Sequence, residues 1–278
     1  MSFEKHPDGR RSVHVEIDVP GTPEAVWNAI ATGPGVSAWF VPTEVEFDGD
    51  GKPVRIVSHF GPGNSMDSIA NVTAWDPPHR FAAESADLGP DAPIIATEWI
   101  VETRDGGTCT VRVVHSLFAS GDDWDSQLGA WENGWPWFFR ILRLYLDQFA
   151  GQTCAAFRVM GSSPASAAEV WPAYEAALGL SNAAAGEDRT ATPAVPALAG
   201  RVDFLGDGNH AHGYLLRIHQ PGPGIASVFA LPMGGMTYLV IDFYLYGEQG
   251  NAIAASEQPK WQAWMDTHYP MAPEAPEP

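Results

Sequence analysis

The stretch TCTVRVVHSLF, residues 108–118, followed three residues later by DDWDSQLGAWENGWPWFFRILRLYLDQF, residues 122–149, decides how the chain is read. The first run alternates, with Val111, Val113 and His115 on one side and Arg112 and Val114 on the other, the period of a half-buried strand. The second run steps by three or four residues through Leu128, Trp131, Trp135, Phe138, Leu142, Tyr145 and Phe149, the period of a helix. Its apolar face is wide and heavily aromatic, so it needs a broad apolar surface to lie against. Pro136 has no amide hydrogen for a helix interior, which predicts a kink near Gly134 or a late start to the regular helix.

Upstream of this pair, VHVEIDV at 13–19 alternates as a second strand. PGTPEAVWNAI at 20–30 then opens a short helix, with Thr22 as cap, Pro23 at the first helical position and Ala25, Val26, Ala29 and Ile30 as its apolar stripe. Between residues 44 and 118 the pattern is strand after strand, broken by DGDGK, GPGNS, DPPHR and RDGGT. That order predicts an antiparallel meander, with Asp105 and Gly106 marking the hairpin between TEWIVET and TCTVRVVHSLF.

The second half repeats the order in fewer residues. TCAAFRVM at 153–160 alternates, and SPASAAEVWPAYEAALG follows it with EVW at 169–171 where the first half has AVW at 25–27. Strands are expected at RVDFL, GYLLRIH, IASVFAL and TYLVIDFYLY, with MGGM as a turn and PKWQAWMDTHY as a short last helix. Residues 181–200 read as a flexible connection and MAPEAPEP as a disordered tail. The expected division is 1–151, 152–270 and a tail at 271–278.

Strand, short helices, antiparallel strands and a long last helix, together with HSLF at 115–118, DDWDSQLGAWENGW at 122–135, PEAVWNAI and WF at 39–40, resemble the SRPBCC or START-like superfamily. Within it, they resemble the branch related to the heat-shock-protein-90 ATPase activator. The resemblance spans residues 12–150 and implies an α+β helix-grip fold, a curved antiparallel sheet wrapped around a long C-terminal helix. The second half then reads as a smaller, degenerate copy in tandem. Such a fold leaves a pocket between sheet and helix, and implies three roles. One is binding of a small hydrophobic or aromatic molecule. The second is a cyclase- or hydrolase-type enzyme. The third is a chaperone ATPase cofactor, although the known activators place a different domain ahead of this one.

Composition narrows the partners. Fifteen Lys and Arg against 34 Asp and Glu give a net charge of −19, the wrong sign for phosphate backbones or anionic lipid surfaces. No nucleic-acid or membrane partner is expected. Two cysteines are too few for a disulfide framework, and no stretch approaches the ~20 apolar residues of a membrane helix. The N-terminal MSFEKHPDGRRS lacks an apolar signal core, so the reading is a soluble, cytoplasmic protein.

No nucleophile elbow, zinc-protease motif, C-x-x-C or phosphate loop is present, and nothing calls for a cofactor. His210, His212 and Asp207 carry the elements of a metal site but equally form a polar turn, and no metal is expected. His115 shares the inward face with Val111 and Val113, where it is either a hydrogen-bonded structural histidine or, in the enzyme reading, an acid or base with His59 as helper. Glu98 and Glu102 fall on the opposite face from Trp99, which suits surface carboxylates, and Glu132 suits the positive end of the helix. The aromatic residues carry the site. Trp39, Phe40, Trp75 and Trp99 are expected to close the walls of a pocket whose lid is Trp131, Trp135, Phe138 and Leu142, with His115 alongside. A filled core needs these same residues, so both readings stay open.

Overall fold

The computed structural model describes residues 2–5, 10–60, 67–87, 93–118, 125–206 and 212–271. The chain divides into two units, Met1–Gly151 and Gln152–Pro278. In the first, β1 (Ser2–Lys5) and β2 (Arg10–Pro20) lead into α1 (Pro23–Ala31) and α2 (Gly33–Ser37). Six strands follow: β3 (Thr43–Phe47), β4 (Pro53–His59), β5 (Asp67–Asp76), β6 (Arg80–Ser85), β7 (Ile95–Arg104) and β8 (Thr108–Phe118). The last element is α3 (Asp125–Gln148). The eight strands form one antiparallel sheet in the order β1-β2-β8-β7-β6-β5-β4-β3, so β3 to β8 meander and β2 closes against the end of the meander. The fold is α+β, a curved sheet wrapped around its long last helix.

Local chemistry explains these boundaries. The Thr22 hydroxyl accepts a hydrogen bond from the Ala25 amide at 3.3 Å, and Pro23 occupies the first helical position, so α1 starts where it is capped. The β7–β8 hairpin turns on Gly106 and Gly107, both at positive φ (79° and 78°), a region glycine enters without steric cost. α3 runs on through Pro136, which is an interior residue of the helix rather than the mark of a late start. β1 has no counterpart in the pattern reading; it exists by pairing with Arg11 to His14 of β2.

The second unit contains β9 (Cys154–Ser163), α4 (Ala167–Ala177), β10 (Asp188–Thr190), β11 (Ala199–Leu205), β12 (His212–Gln220), β13 (Gly224–Met233), β14 (Met236–Tyr246) and α5 (Gly250–His268). Its sheet order is β10-β11-β12-β13-β14-β9. A strand leading into a helix, a meander returning to that strand and a final helix therefore occur in both units, the strand being β2 in the first and β9 in the second. Trp27 is the fifth residue of α1 and Trp171 the fifth of α4, and both are buried. The closing strand pair of each sheet, β2 with β8 and β9 with β14, also carries a directly paired charge couple, Glu16 with Arg112 and Arg158 with Asp242.

Two expectations about this unit need correction. Residues 181–200 are not a flexible connection: they include β10, the Ala191 amide donates to the Leu198 carbonyl at 2.8 Å, and Ala183 and Leu198 are buried in the core. The Ala- and Pro-rich composition hides enough apolar side chains to anchor the segment. The last helix is not short either, because α5 spans 19 residues and takes in Pro259. The MAPEAPEP tail beyond Met271 and the GPGNS turn lie outside the described residues.

α2 is wedged against α1. A Cβ at Gly35 would fall 1.8 Å from the Asn28 carbonyl oxygen, closer than any real contact. Gly35→Ala is therefore expected to lower the unfolding free energy by about 3 kcal/mol, read from urea denaturation, because backbone atoms on both sides would have to move.

Candidate functional site

The inward face of the first sheet is ordered into rows by strand pairing. One row is large: Val15, Val113, Trp99, Phe81 and Trp75 are successive register partners across β2, β8, β7, β6 and β5. Trp27 of α1 meets this row edge-on, its ring centroid 5.1 Å from Trp75 and 5.8 Å from Phe81. Trp39 adds an edge contact to Trp99 at 6.3 Å, and its indole N–H donates to the Ala29 carbonyl at 2.9 Å. This half of the interior is filled with rings.

The neighbouring rows are different. Val13, His115, Thr97, Ala83 and Val72 form the next one, and Ile95, Ser85, Ala70, Ile56 and Val45 the one after it. Ser68, Ser58 and Thr43 follow. On β4, β5 and β6 the inward side chains past the aromatic row reach only as far as Ser, Ala, Val and Ile. The sheet thus presents a bulky aromatic half and a half of low relief.

His115 sits on the seam between them. The Trp135 indole of α3 can only donate, and it does so to His115 Nε2 at 2.6 Å. Nε2 is therefore the unprotonated nitrogen, and the proton on Nδ1 goes to Thr97 Oγ1 at 2.9 Å. The imidazole also stacks on the indole, centroids 5.4 Å apart. Only 9% of His115 is exposed, and burial pulls its pKa down from 6.5 to about 4. At neutral pH it is a neutral residue with both nitrogens committed, so the structural alternative describes its geometry.

The other expected residues divide between wall and core. Trp39 (1% exposed) and Leu142 (0%) are wholly enclosed, Leu142 beside Phe139 and Ile141 in the packed seat of α3. Trp99 is buried, whereas Phe40, Trp75, Trp135 and Phe138 are half-buried. Phe40 stacks on Trp135 at 5.4 Å and takes edge contacts from Phe138 at 4.7 Å and Phe60 at 5.6 Å. Phe40, Trp135 and Phe138 thus border the low-relief half. The Trp131 side chain lies outside the described residues. Strand alternation puts His59 on the outer face with Arg55 and Val57, where its Nδ1 is 2.8 Å from Asp67 Oδ1. Three strands separate β4 from β8, and the structure does not bring His59 to His115. Sequence reasoning passed over the short inward residues Ser58, Ser68, Ala83 and Ser85. Small side chains at alternate positions of β4, β5 and β6 were the available signal.

The remaining ionisable groups belong to the surface or are inert. Glu98 pairs with Arg80, and Glu102 with Arg104 and Arg112, on the outer face of β7. Burial raises the thiol pKa of Cys109, and pushes that of Cys154 up to about 12, so neither is a ready thiolate. His212 stacks on Trp171 at 5.6 Å; His210 and Asp207 lie outside the described residues. Among the described residues no three His, Cys, Asp or Glu side chains cluster as metal ligands, and no helix is long and apolar enough to cross a membrane.

A curved antiparallel sheet gripping a long last helix over an aromatic interior is the architecture of a START-like domain. Residues 10–143 match the family described as polyketide cyclase / dehydrase and lipid transport. Among solved structures, the di-domain ARO/CYC BexL from the BE-7585A biosynthetic pathway is 15% identical, with 95% of this chain and 100% of that one covered at a TM-score of 0.44. DynU16, a putative protein in the dynemicin biosynthetic locus, is 18% identical over 93% and 96% of the two chains at 0.41. The Aha1 dimer from Colwellia psychrerythraea is 20% identical over 49% of this chain and 96% of that one at 0.37. No curated protein sequence matches the chain.

The buried histidine makes stability depend on acid. Its folded pKa, about 4, lies below the unfolded value near 6.5, so the unfolded chain binds the proton more readily. Above pH 6.5 this group costs nothing; between pH 6.5 and 4 it is expected to remove about 3 kcal/mol. Urea titrations at pH 7 and pH 4 check this. The stability difference between the two should be about 3 kcal/mol smaller in His115→Gln, which has no proton to gain.

Proposed function

We propose that the first unit binds one small hydrophobic or aromatic molecule between the low-relief half of the sheet and α3. The observation that carries this is the sorting of the inward face. Beside the ring-filled row, Val72, Ala83, Ser85 and Ala70 leave a shallow floor, and the half-buried rings of Phe40, Trp135 and Phe138 stand at its border. Rings that are partly exposed inside a fold and stacked on one another offer a flat apolar ligand a ready surface. The family match, whose description includes lipid transport, supports a ligand of this kind.

The reading assigns His115 a positioning role. A general base must have a free lone pair near the working pH, and the one lone pair of this imidazole already accepts from Trp135. Catalysis through His115 and His59 is thus disfavoured, and no specific observation favours a chaperone contact. The second unit reads as a shortened copy of the same design, with a core of large side chains including Phe157, Tyr174, Phe243, Trp261 and Trp264.

The test is to fill the floor. Wild-type protein is expected to enhance the fluorescence of 1-anilinonaphthalene-8-sulfonate with saturable, one-site binding. Val72→Trp should weaken that binding at least tenfold with unchanged circular dichroism. Undiminished binding by the variant would contradict the proposed location.

A further inference from the structure

Resting on this reading, the geometry points to a hydrogen-bond polarity in the floor. We infer that Asp87 makes the site selective for apolar ligands that carry a hydrogen-bond donor, such as a hydroxyl or amide N–H, over isosteres that can only accept.

The inference follows from counting protons. A serine hydroxyl has one proton to donate and two lone pairs that accept. Ser68 Oγ donates to Asp87 Oδ2 at 2.5 Å, and Ser85 Oγ donates to the same oxygen at 3.0 Å. An ionised carboxylate has no proton, so both serines must be the donors. The third hydroxyl is fixed in the same sense. Thr43 Oγ1 donates to the Val41 carbonyl at 3.0 Å, which obliges Ser58 to donate across the 3.1 Å contact with Thr43. Ser58 and Ser68 are register partners on β4 and β5, and Ser85 lies one strand further on, opposite Ala70. All three protons are committed within the protein, and only lone pairs remain.

Burial gives this arrangement consequence. Ser85 is 9% exposed, so a ligand that covers it closes its lone pairs to solvent. A ligand donor pairs with one of them; an ether or aryl hydrogen leaves the acceptor unpaired. Thr97 is the exception on the inward face. It accepts from His115 Nδ1 and so keeps its own proton, which places a complementary donor beside the aromatic half. Asp87 itself is exposed, two residues beyond the end of β6.

The test compares 2-naphthol with 2-methoxynaphthalene as displacers of 1-anilinonaphthalene-8-sulfonate from the full chain. Wild-type protein is expected to prefer the naphthol by roughly tenfold, the size of one hydrogen bond. In Asp87→Ala the two hydroxyls can turn and donate, and the preference should fall to within about twofold. Ser68→Ala, which removes an acceptor directly, should also reduce it, while Glu84→Ala on the outer face of β6 should leave it intact. Full preference in both Asp87→Ala and Ser68→Ala, or none in the wild type, would overturn the inference while leaving the site standing. Failure of both compounds to displace the probe would overturn the site and this selectivity together.

Discussion

The hydrogen-bonded line Thr97–His115–Trp135 joins the sheet to its helix, and the interior of the first unit is organised around it. An indole that can only donate fixes which imidazole nitrogen is bare. That in turn fixes the proton on the other nitrogen and the direction of the bond to Thr97. The line holds in one orientation only while the imidazole is neutral. Buried polar chains of this sort specify one packing, because any alternative strands a donor or an acceptor away from water. On one side of the line the rings interlock; on the other the strands carry Ser, Ala and Val. The indole ring itself, stacked on Phe40, belongs to both sides.

The same topology in the second unit shows how much the contents of a fold can change while its connectivity persists. Both sheets close the strand that leads into their first helix, β2 or β9, against the last strand of a meander, and both follow that with a helix. The second meander has one strand fewer and a single helix where the first has two. Trp171 stands where Trp27 does, stacking with Tyr214 and His212 in place of the Trp75 and Phe81 contacts made in the first unit. On the proposed reading, ligand binding belongs to the first unit, while the second has a packed core of large side chains.

Features set by neighbours in sequence were legible before the structure. The alternation in 13–19 and 108–118, the cap at Thr22 and the glycines at 106 and 107 act within a few residues and fell where the pattern put them. The inward placement of His115 was also legible, since it follows from period two. Its partners were not: Thr97 lies 18 residues before it and Trp135 20 residues after it, and no local rule pairs them. The inward tryptophans drew notice because tryptophan is conspicuous, and the short inward residues of β4 to β6 did not because serine and alanine are common. Residues 181–200 misled for a related reason, as their composition matches a linker while Leu198 and Ala183 tie them into a core. The start of α5 was missed because residues 250–258 lack a clear apolar stripe.

The claim at the centre of this account is that one apolar ligand lies over the short side chains of β5 and β6, bordered by Trp135. Anomalous diffraction from a crystal of the full chain soaked with 2-bromonaphthalene would locate it directly through the bromine. The account predicts a single strong peak within van der Waals contact of Val72, Ala83 or Ser85, in the first unit only. A peak in the core of the second unit, or none between the first sheet and α3, would contradict it.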